Sequence, residues 1–579
     1  MTKLTTLVRL TCFTIVVMSS VVSNGQHIDL NNVKSLVKAK PIQLNGGISA
    51  NSILYSGNAG AGRQPLTYFI NGFVNFKLFQ FVDLPFSFNL TNAGGGFNYP
   101  TLPNRFSVRP TYKWVTAHIG GVNMSFSPYT LNGHEFTGIG LDVVPPKGKI
   151  KVSAMYGRLQ RAVEYDTANV IVQSAYKRMG YGARIDYTSK SYSLALTAFA
   201  AKDRISSINS KPADSLHIFP QKNLAVSLIS TYKFSKGLAL SAEYALSALT
   251  RDIRDSTHSK SENNNLLKGV INENNSTSFY KALKAQLNYT LLRSTIGIGY
   301  ERIDPGYETL GAYFFSNDLE NITINFAQVL MKEKANLFLN FGLQRDNLDS
   351  KKSGTNKRTI VSLNFNYTPN KRLYLNASYS NFQTFMNIKP QFQYINQLTQ
   401  FQNMDTLNFS QISQNANFNL NYILGRKKAK QSSINVNLSF LDAADKQGGI
   451  IRKGNVSDFY NAAVAYSLLL DSQRISITTA FNASYNTIGR NDFMTLGPTL
   501  AVNVKLFKKK VTAGFSTSYN SSTSSGTWQS KVLNIRCHAS YIFKKRQNLN
   551  FTLLNQSRNV KGRGKMNDLV GTLGYNFSF

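Results

Sequence analysis

The closing stretch of the chain reads Leu569, Val570, Gly571, Thr572, Leu573, Gly574, Tyr575, Asn576, Phe577, Ser578, Phe579. Leu569, Gly571, Leu573, Tyr575, Phe577 and Phe579 occupy one set of alternate positions, and Val570, Thr572, Gly574, Asn576 and Ser578 the other. A period of two sends successive side chains to opposite faces of a strand. The stretch therefore reads as a β-strand with an apolar face and a mostly polar one, finishing on an aromatic residue.

The same arithmetic recurs far upstream. Leu238, Leu240, Ala242, Tyr244 and Leu246 oppose Ser241, Glu243 and Ser247, and Val361, Leu363, Phe365 and Tyr367 oppose Ser362, Asn364 and Asn366. Ile434, Val436, Leu438 and Phe440 oppose Asn435, Asn437 and Ser439. Such segments match the roughly 9 to 11 residues that a strand needs to cross a bilayer. The connections alternate as well. Short ones fall at residues 145–149, 188–191, 235–237, 332–334, 368–371, 425–430, 507–510 and 544–548, and long polar ones at 250–278, 346–357, 382–411, 442–457 and 520–530. Short turns on one rim and long loops on the other characterise outer-membrane barrels. In lipid every backbone polar group needs a partner within the protein, so a sheet spans only when it closes. The expected fold is all-β: a transmembrane antiparallel β-barrel over residues 66–579 with about 24 strands, within a range of roughly 22 to 26.

Composition agrees with this. Of 579 residues only 16% are charged while 12% are aromatic, against about 25% charged in ordinary soluble domains. At the N-terminus Lys3 and Arg9 precede the apolar run 10–22, and the small residues Ser23 and Gly25 precede Gln26. Residues 1–25 read as a secretory signal peptide. Its removal takes Cys12 and leaves Cys537, which forms no disulfide framework within the chain. Residues 26–65, Gly-, Asn- and Ser-rich in their second half, read as an N-terminal periplasmic arm or small plug. The net charge of +36 demands an anionic counter-surface. For an exported chain, nucleic acid is not that partner. Membrane lipids are, with a periplasmic or surface protein as a further candidate.

With the Asn-rich aromatic strands, the Lys-rich short turns and the ending Gly574, Tyr575, Asn576, Phe577, Ser578, Phe579, the chain resembles the large outer-membrane β-barrel proteins of Bacteroidota type. The terminal strand likewise resembles the signal read by the barrel-assembly machinery. The resemblance implies location in the bacterial outer membrane, with Phe579 and the short turns at the periplasm and the long loops outside. No energy-coupling box or receptor-sized plug is recognisable, so the expected function is a porin-like, diffusive channel or translocation conduit. The alternative is a plugged scaffold or adhesin-type barrel that docks other envelope proteins through its basic rim or outer loops.

Two groups of charges stand out. On inward positions lie Arg184, Asp186, Glu243, Lys284, Glu301, Lys505 and Arg536, candidates for setting lumen selectivity. In the short turns lie Lys332, Lys334, Arg426, Lys427, Lys428, Lys508, Lys509, Lys544 and Lys545, a candidate basic periplasmic rim. Residues 104–144, broken by prolines and glycines, read as a surface loop or a constriction. His134 adjoins Glu135 there, but neighbours on a strand point to opposite faces and do not converge on one ion. The other histidines have no metal-ligand spacing, so neither enzyme activity nor a cofactor is expected. A barrel this wide needs something inside it; residues 26–64, the loop 382–411 or a partner protein are the candidates.

Overall fold

The computed structural model describes residues 42–579, leaving out 59–63, 79–81, 93–104, 166–173, 210–211, 213, 215–216, 258–266, 268–269, 314, 353–354, 356, 382–383, 387–409, 428, 448–449, 489–490 and 545. The signal-peptide and most of the arm expectations, the body of loop 382–411, Lys428 and Lys545 lie outside the described residues.

The first half of the wall contains β1 (Ile42–Gly57), β2 (Leu66–Leu78), β3 (Val82–Thr91), β4 (Arg105–Val108), β5 (Thr111–Tyr112), β6 (Val115–Asn123), β7 (Glu135–Val143), β8 (Ile150–Gln160), β9 (Lys177–Thr188), β10 (Tyr192–Arg204), β11 (Lys222–Lys233), β12 (Leu238–Thr250), β13 (Thr277–Leu291) and β14 (Ser294–Ile303). The second half contains β15 (Leu319–Leu330), β16 (Ala335–Arg345), β17 (Lys357–Asn370), β18 (Leu373–Ser380), β19 (Thr384–Met386), β20 (Ser410–Lys427), β21 (Lys430–Gln447), β22 (Ile450–Leu470), β23 (Ile475–Ile488), β24 (Asn491–Leu506), β25 (Val511–Ser524), β26 (Thr527–Phe543), β27 (Gln547–Val560) and β28 (Gly564–Ser578). Between β3 and β6, β4 and β5 are two pieces of one strand, and β18 and β19 both pair with β20. The result is a closed antiparallel barrel of 26 strands, the upper edge of the expected range.

Closure corrects the expected domain boundary. Residues 42–57 are not part of an arm or plug. They form β1, which pairs with β2 on one side and β28 on the other, Gly47 facing Ser578 and Gly57 facing Asp568. Gly46 and Phe579 exchange both backbone hydrogen bonds, at 2.9 and 3.0 Å. The final strand thus finds its second partner at the start of the wall, and no edge is left there.

The Phe579 rim carries the tight turns. Around it each turn bonds to the next: Lys149 O accepts from Thr188 N, Ser191 O from Lys233 N, Gly237 O from Thr290 N, and Lys334 O from Thr368 N. The series continues with Lys510 O accepting from Ile542 N and Arg546 O from Ser578 N. Lys332, Lys508, Lys509 and Lys544 take positive φ there, as these tight reversals require. At the opposite rim the loops 251–276 and 346–356 are long as expected. Residues 442–457 and 520–530 are not loops: β21 and β22 run on to Gln447 and from Ile450, and β25 turns into β26 at Ser525 and Gly526. Their Ser, Thr and Asp content resembles a loop, but each segment keeps its partner across the ladder.

Outward positions are apolar around the perimeter. Ile185, Leu196, Leu228, Ile298, Ile324, Leu343, Phe481 and Leu553 are all exposed. A soluble protein does not present an apolar belt of this extent, whereas lipid requires one. No helix among the described residues is long and apolar enough to cross a membrane; this chain crosses with strands. It is a transmembrane β-barrel.

Candidate functional site

Cross-strand partners share a face, so the register carries the inward face from strand to strand. Glu243 on β12 faces Lys284 on β13, and Lys284 faces Glu301 on β14. They form an acid, base, acid row, with Lys284 Nζ 3.9 Å from Glu301. Arg184 and Asp186 on β9 pair at 2.6 Å.

The β6–β7 loop, residues 124–134, turns into the barrel and meets these charges. Ser127 Oγ donates to the Glu243 carboxylate, which also accepts from Ser227 Oγ at 2.8 Å. Tyr129 Oη donates to Glu301 at 2.6 Å, and Arg184 donates to the Phe126 carbonyl. Bonds from one loop to β9, β12 and β14 are possible only across the interior. A second loop, residues 304–318 between β14 and β15, meets the first. Tyr307 Oη donates to Tyr129 O at 2.8 Å, Thr309 Oγ1 donates to Thr130 O at 2.7 Å, and Asn132 N donates to Gly311 O at 2.9 Å.

Apolar packing holds the pair down. Met124, Phe126 and Leu131 are buried with Phe136, Leu159, Phe199, Leu249 and Leu310. Tyr129 and Tyr307 pack edge to face, ring centres 6.1 Å apart, beside Ala245, Ala282 and Ile303. Burial contributes about 1.5–3 kcal/mol for each large apolar side chain. Wall glycines provide the space. A Cβ on Gly140 would lie 2.5 Å from Met124 Sδ, and one on Gly182 would lie 2.9 Å from the Phe126 ring.

His134 ends the first loop and is not on the surface. It is buried, stacks on Tyr313 with ring centres 4.1 Å apart, and its Nδ1 lies 2.9 Å from Glu135 O. Burial pushes its imidazole down to about 4, against the opposing pull of the Glu135 carbonyl and with help from the Arg178 charge. On the second loop Asp318 forms an ion pair with Lys352. Burial raises its carboxyl, but Lys352 and the Leu348 and Asn347 amides more than offset this and hold it below the usual range.

The wall also places His118 Nε2 2.7 Å from Asp142, whose other oxygen accepts from Ser153 Oγ at 2.5 Å. A nucleophilic triad needs the hydroxyl on the histidine. Here it is on the carboxylate, and His118 Nδ1 faces Arg109 Nε at 3.3 Å. Among the described residues no group of three His, Cys, Asp or Glu side chains is placed to hold a metal ion.

The remaining lumen charges are apart from this cluster. Lys505 on β24 and Arg536 on β26 lie far around the wall; Arg536 borders a cavity of about 310 Å³ with Asn482, Ser518 and Asn534. Of the rim cations, Lys332, Lys334, Lys508, Lys509 and Lys544 are exposed on the Phe579 rim. Arg426 and Lys427 end β20 on the same rim. The sequence marks 104–144 as unusual but does not mark 304–318, whose Gly-, Tyr- and Thr-containing run looks like any outer loop.

No protein-family model matches the chain, and comparison with curated proteins found no match. Solved structures similar to it include the translocation pore of the P pilus usher PapC, at 10% identity over 93% of this chain and 99% of that one, TM-score 0.35. The FrpB iron transporter from Neisseria meningitidis is similar at 12% identity over 94% of this chain and 84% of that one, TM-score 0.35. The copper transporter OprC is similar at 8% identity over 93% and 80%, also at TM-score 0.35.

Proposed function

We propose that this barrel is a porin-like, diffusive channel, not energy-coupled and not an enzyme, whose aperture is set by the paired loops 124–134 and 304–318. The observation that carries the reading is the burial of the first loop in the interior, bonded to β9, β12 and β14. A fixed obstruction held by the wall narrows a wide barrel. Asn-rich strands and lysine-rich turns support the Bacteroidota-type assignment. Reconstitution in planar bilayers tests the channel. Stepwise conductance is expected, rising when residues 125–133 are replaced by a short Gly-Ser linker. Silence of a folded protein in both forms overturns the reading.

The second reading is a scaffold that docks a periplasmic protein. It is favoured by the exposed cations of the Phe579 rim, Lys332, Lys334, Lys508, Lys509 and Lys544. Affinity capture from envelope extracts tests it: a stoichiometric partner lost on neutralising these lysines supports it.

A further inference from the structure

Opposite in chemistry to the charged row is a long arc of inner wall with amides in place of charges. Its identity follows from the register. Asn366 on β17 faces Asn376 on β18, which faces Asn419 on β20, which faces Asn437 on β21. One step along the strands, Asn364 faces Ser378, which faces Asn417, which faces Ser439. Both rows belong to the inward face, because Glu301 faces Asn321, Ala327 lies an even number of positions from Asn321 and so on the same face of β15, Ala327 faces Phe338, and Phe338 faces Asn364. The amides are joined: Asn376 Nδ2 donates to Asn366 Oδ1 at 2.7 Å, and Asn366 Nδ2 donates to Asn364 Oδ1 at 2.8 Å.

Two aromatic rings face inward from this arc. Phe338 on β16 is 43% exposed and Tyr374 on β18 is 44% exposed. Tyr374 shares the face of Asn376, two residues away, and is paired with Asn421. From strand rise and spacing the rings are about 17 Å apart, with Asn364, Asn366 and Asn376 between them.

We infer that this arc, from Phe338 to Tyr374, is a binding track for a neutral oligosaccharide; the inference rests on the channel reading. Each amide carries both a donor and an acceptor, which suits vicinal hydroxyls that also both donate and accept. Exposed rings offer flat apolar faces to the C–H face of a sugar ring, an amphipathic match like that of buried aromatic side chains with a polar edge. The absence of charge among these wall residues favours an uncharged solute over an ion, which loses solvation without receiving a counter-charge. The joined amides are held in place before a ligand arrives, which lowers the ordering cost of binding.

The test uses the full-length barrel in planar bilayers, with maltohexaose added as a neutral probe and a hexamer of galacturonic acid as a charged one. Transient block by maltohexaose is expected, with residence time falling about tenfold in Phe338→Ala with Tyr374→Ala. An open channel that maltohexaose does not block, or that the acidic hexamer blocks more strongly, overturns the saccharide track and leaves the channel standing. Block unchanged in the double variant removes the assignment to these rings. If the folded barrel is silent, the channel reading falls instead. Calorimetric titration with maltohexaose in lauryldimethylamine oxide then decides the track on its own: binding that the double variant loses sustains it, and no binding ends it.

Discussion

Tyr129 and Glu301 are 172 residues apart in the chain and are joined by a 2.6 Å hydrogen bond inside the barrel. The loop tip and the wall charge each complete the other, since a half-buried carboxylate gains from donors and the loop needs an anchor. Burial, with the Glu301 charge next in weight, moves the Tyr129 hydroxyl well above its ordinary range, so it remains a donor at every physiological pH.

Tyr129→Phe combined with Ser127→Ala removes donors from Glu301 and Glu243 while preserving most of the packing. Glu243 keeps Ser227 and Glu301 keeps Asn321 as donors, so what is lost is the two loop bonds themselves, each a hydrogen bond to a charged group and worth about 1.5–3 kcal/mol. The double variant is expected to retain its fold, seen as a heat-modifiable band in gels, and to show larger and noisier conductance steps. Unchanged conductance places the loop tip away from the aperture.

Gly182→Val tests the same loop by crowding. A Cβ there lies 2.8 Å from the Ala198 carbonyl on β10 and 2.9 Å from the Phe126 ring, so a side chain displaces the ring and also strains the wall beside it. We expect protease cleavage within residues 124–134 that the parent resists, and conductance that changes in the same direction as in the donor variant.

Acidification acts through His134. Its folded value is about 4 against an ordinary 6.5. Between those values the opened loop takes up a proton that the closed loop refuses, so closure weakens as pH falls through this window and levels off below about 4. Protection factors of residues 124–134, taken relative to the intrinsic amide exchange rate at each pH, are expected to be lower at pH 4.5 than at pH 7, and His134→Phe, which retains a ring against Tyr313, to flatten the difference.

Barrel closure depends on the seam. Tyr55 Oη donates to Asp568 at 2.6 Å, beside the buried set Ile53, Phe69, Leu554 and Val570. Deleting residues 42–57 is expected to abolish the heat-modifiable folded band, whereas Tyr55→Phe lowers its melting temperature by a few degrees. Normal folding of the deletion removes β1 from the wall.

Lys505 and Arg536 test selectivity. If they set the field of the open cross-section, Lys505→Gln with Arg536→Gln lowers the anion-to-cation permeability ratio, read from reversal potentials in a salt gradient. An unchanged ratio moves the selectivity to the Glu243, Lys284, Glu301 row.

The amino-acid sequence by itself determined the strands, their two faces, the position of the tight lysine-bearing turns and the inward placement of Glu243, Lys284 and Glu301. These depend on a period of two and on turn chemistry, both local. It misplaced residues 442–457 and 520–530 because a polar strand rising above the membrane loses the apolar half of its pattern. Tertiary structure alone decided that 42–57 seals the barrel, since its partner Asp568 lies at the far end of the chain. It alone decided which loops turn inward. Residues 124–134 and 304–318 are stabilised by contacts with strands remote in sequence, and a buried loop differs from an exposed one in what surrounds it rather than in what it contains.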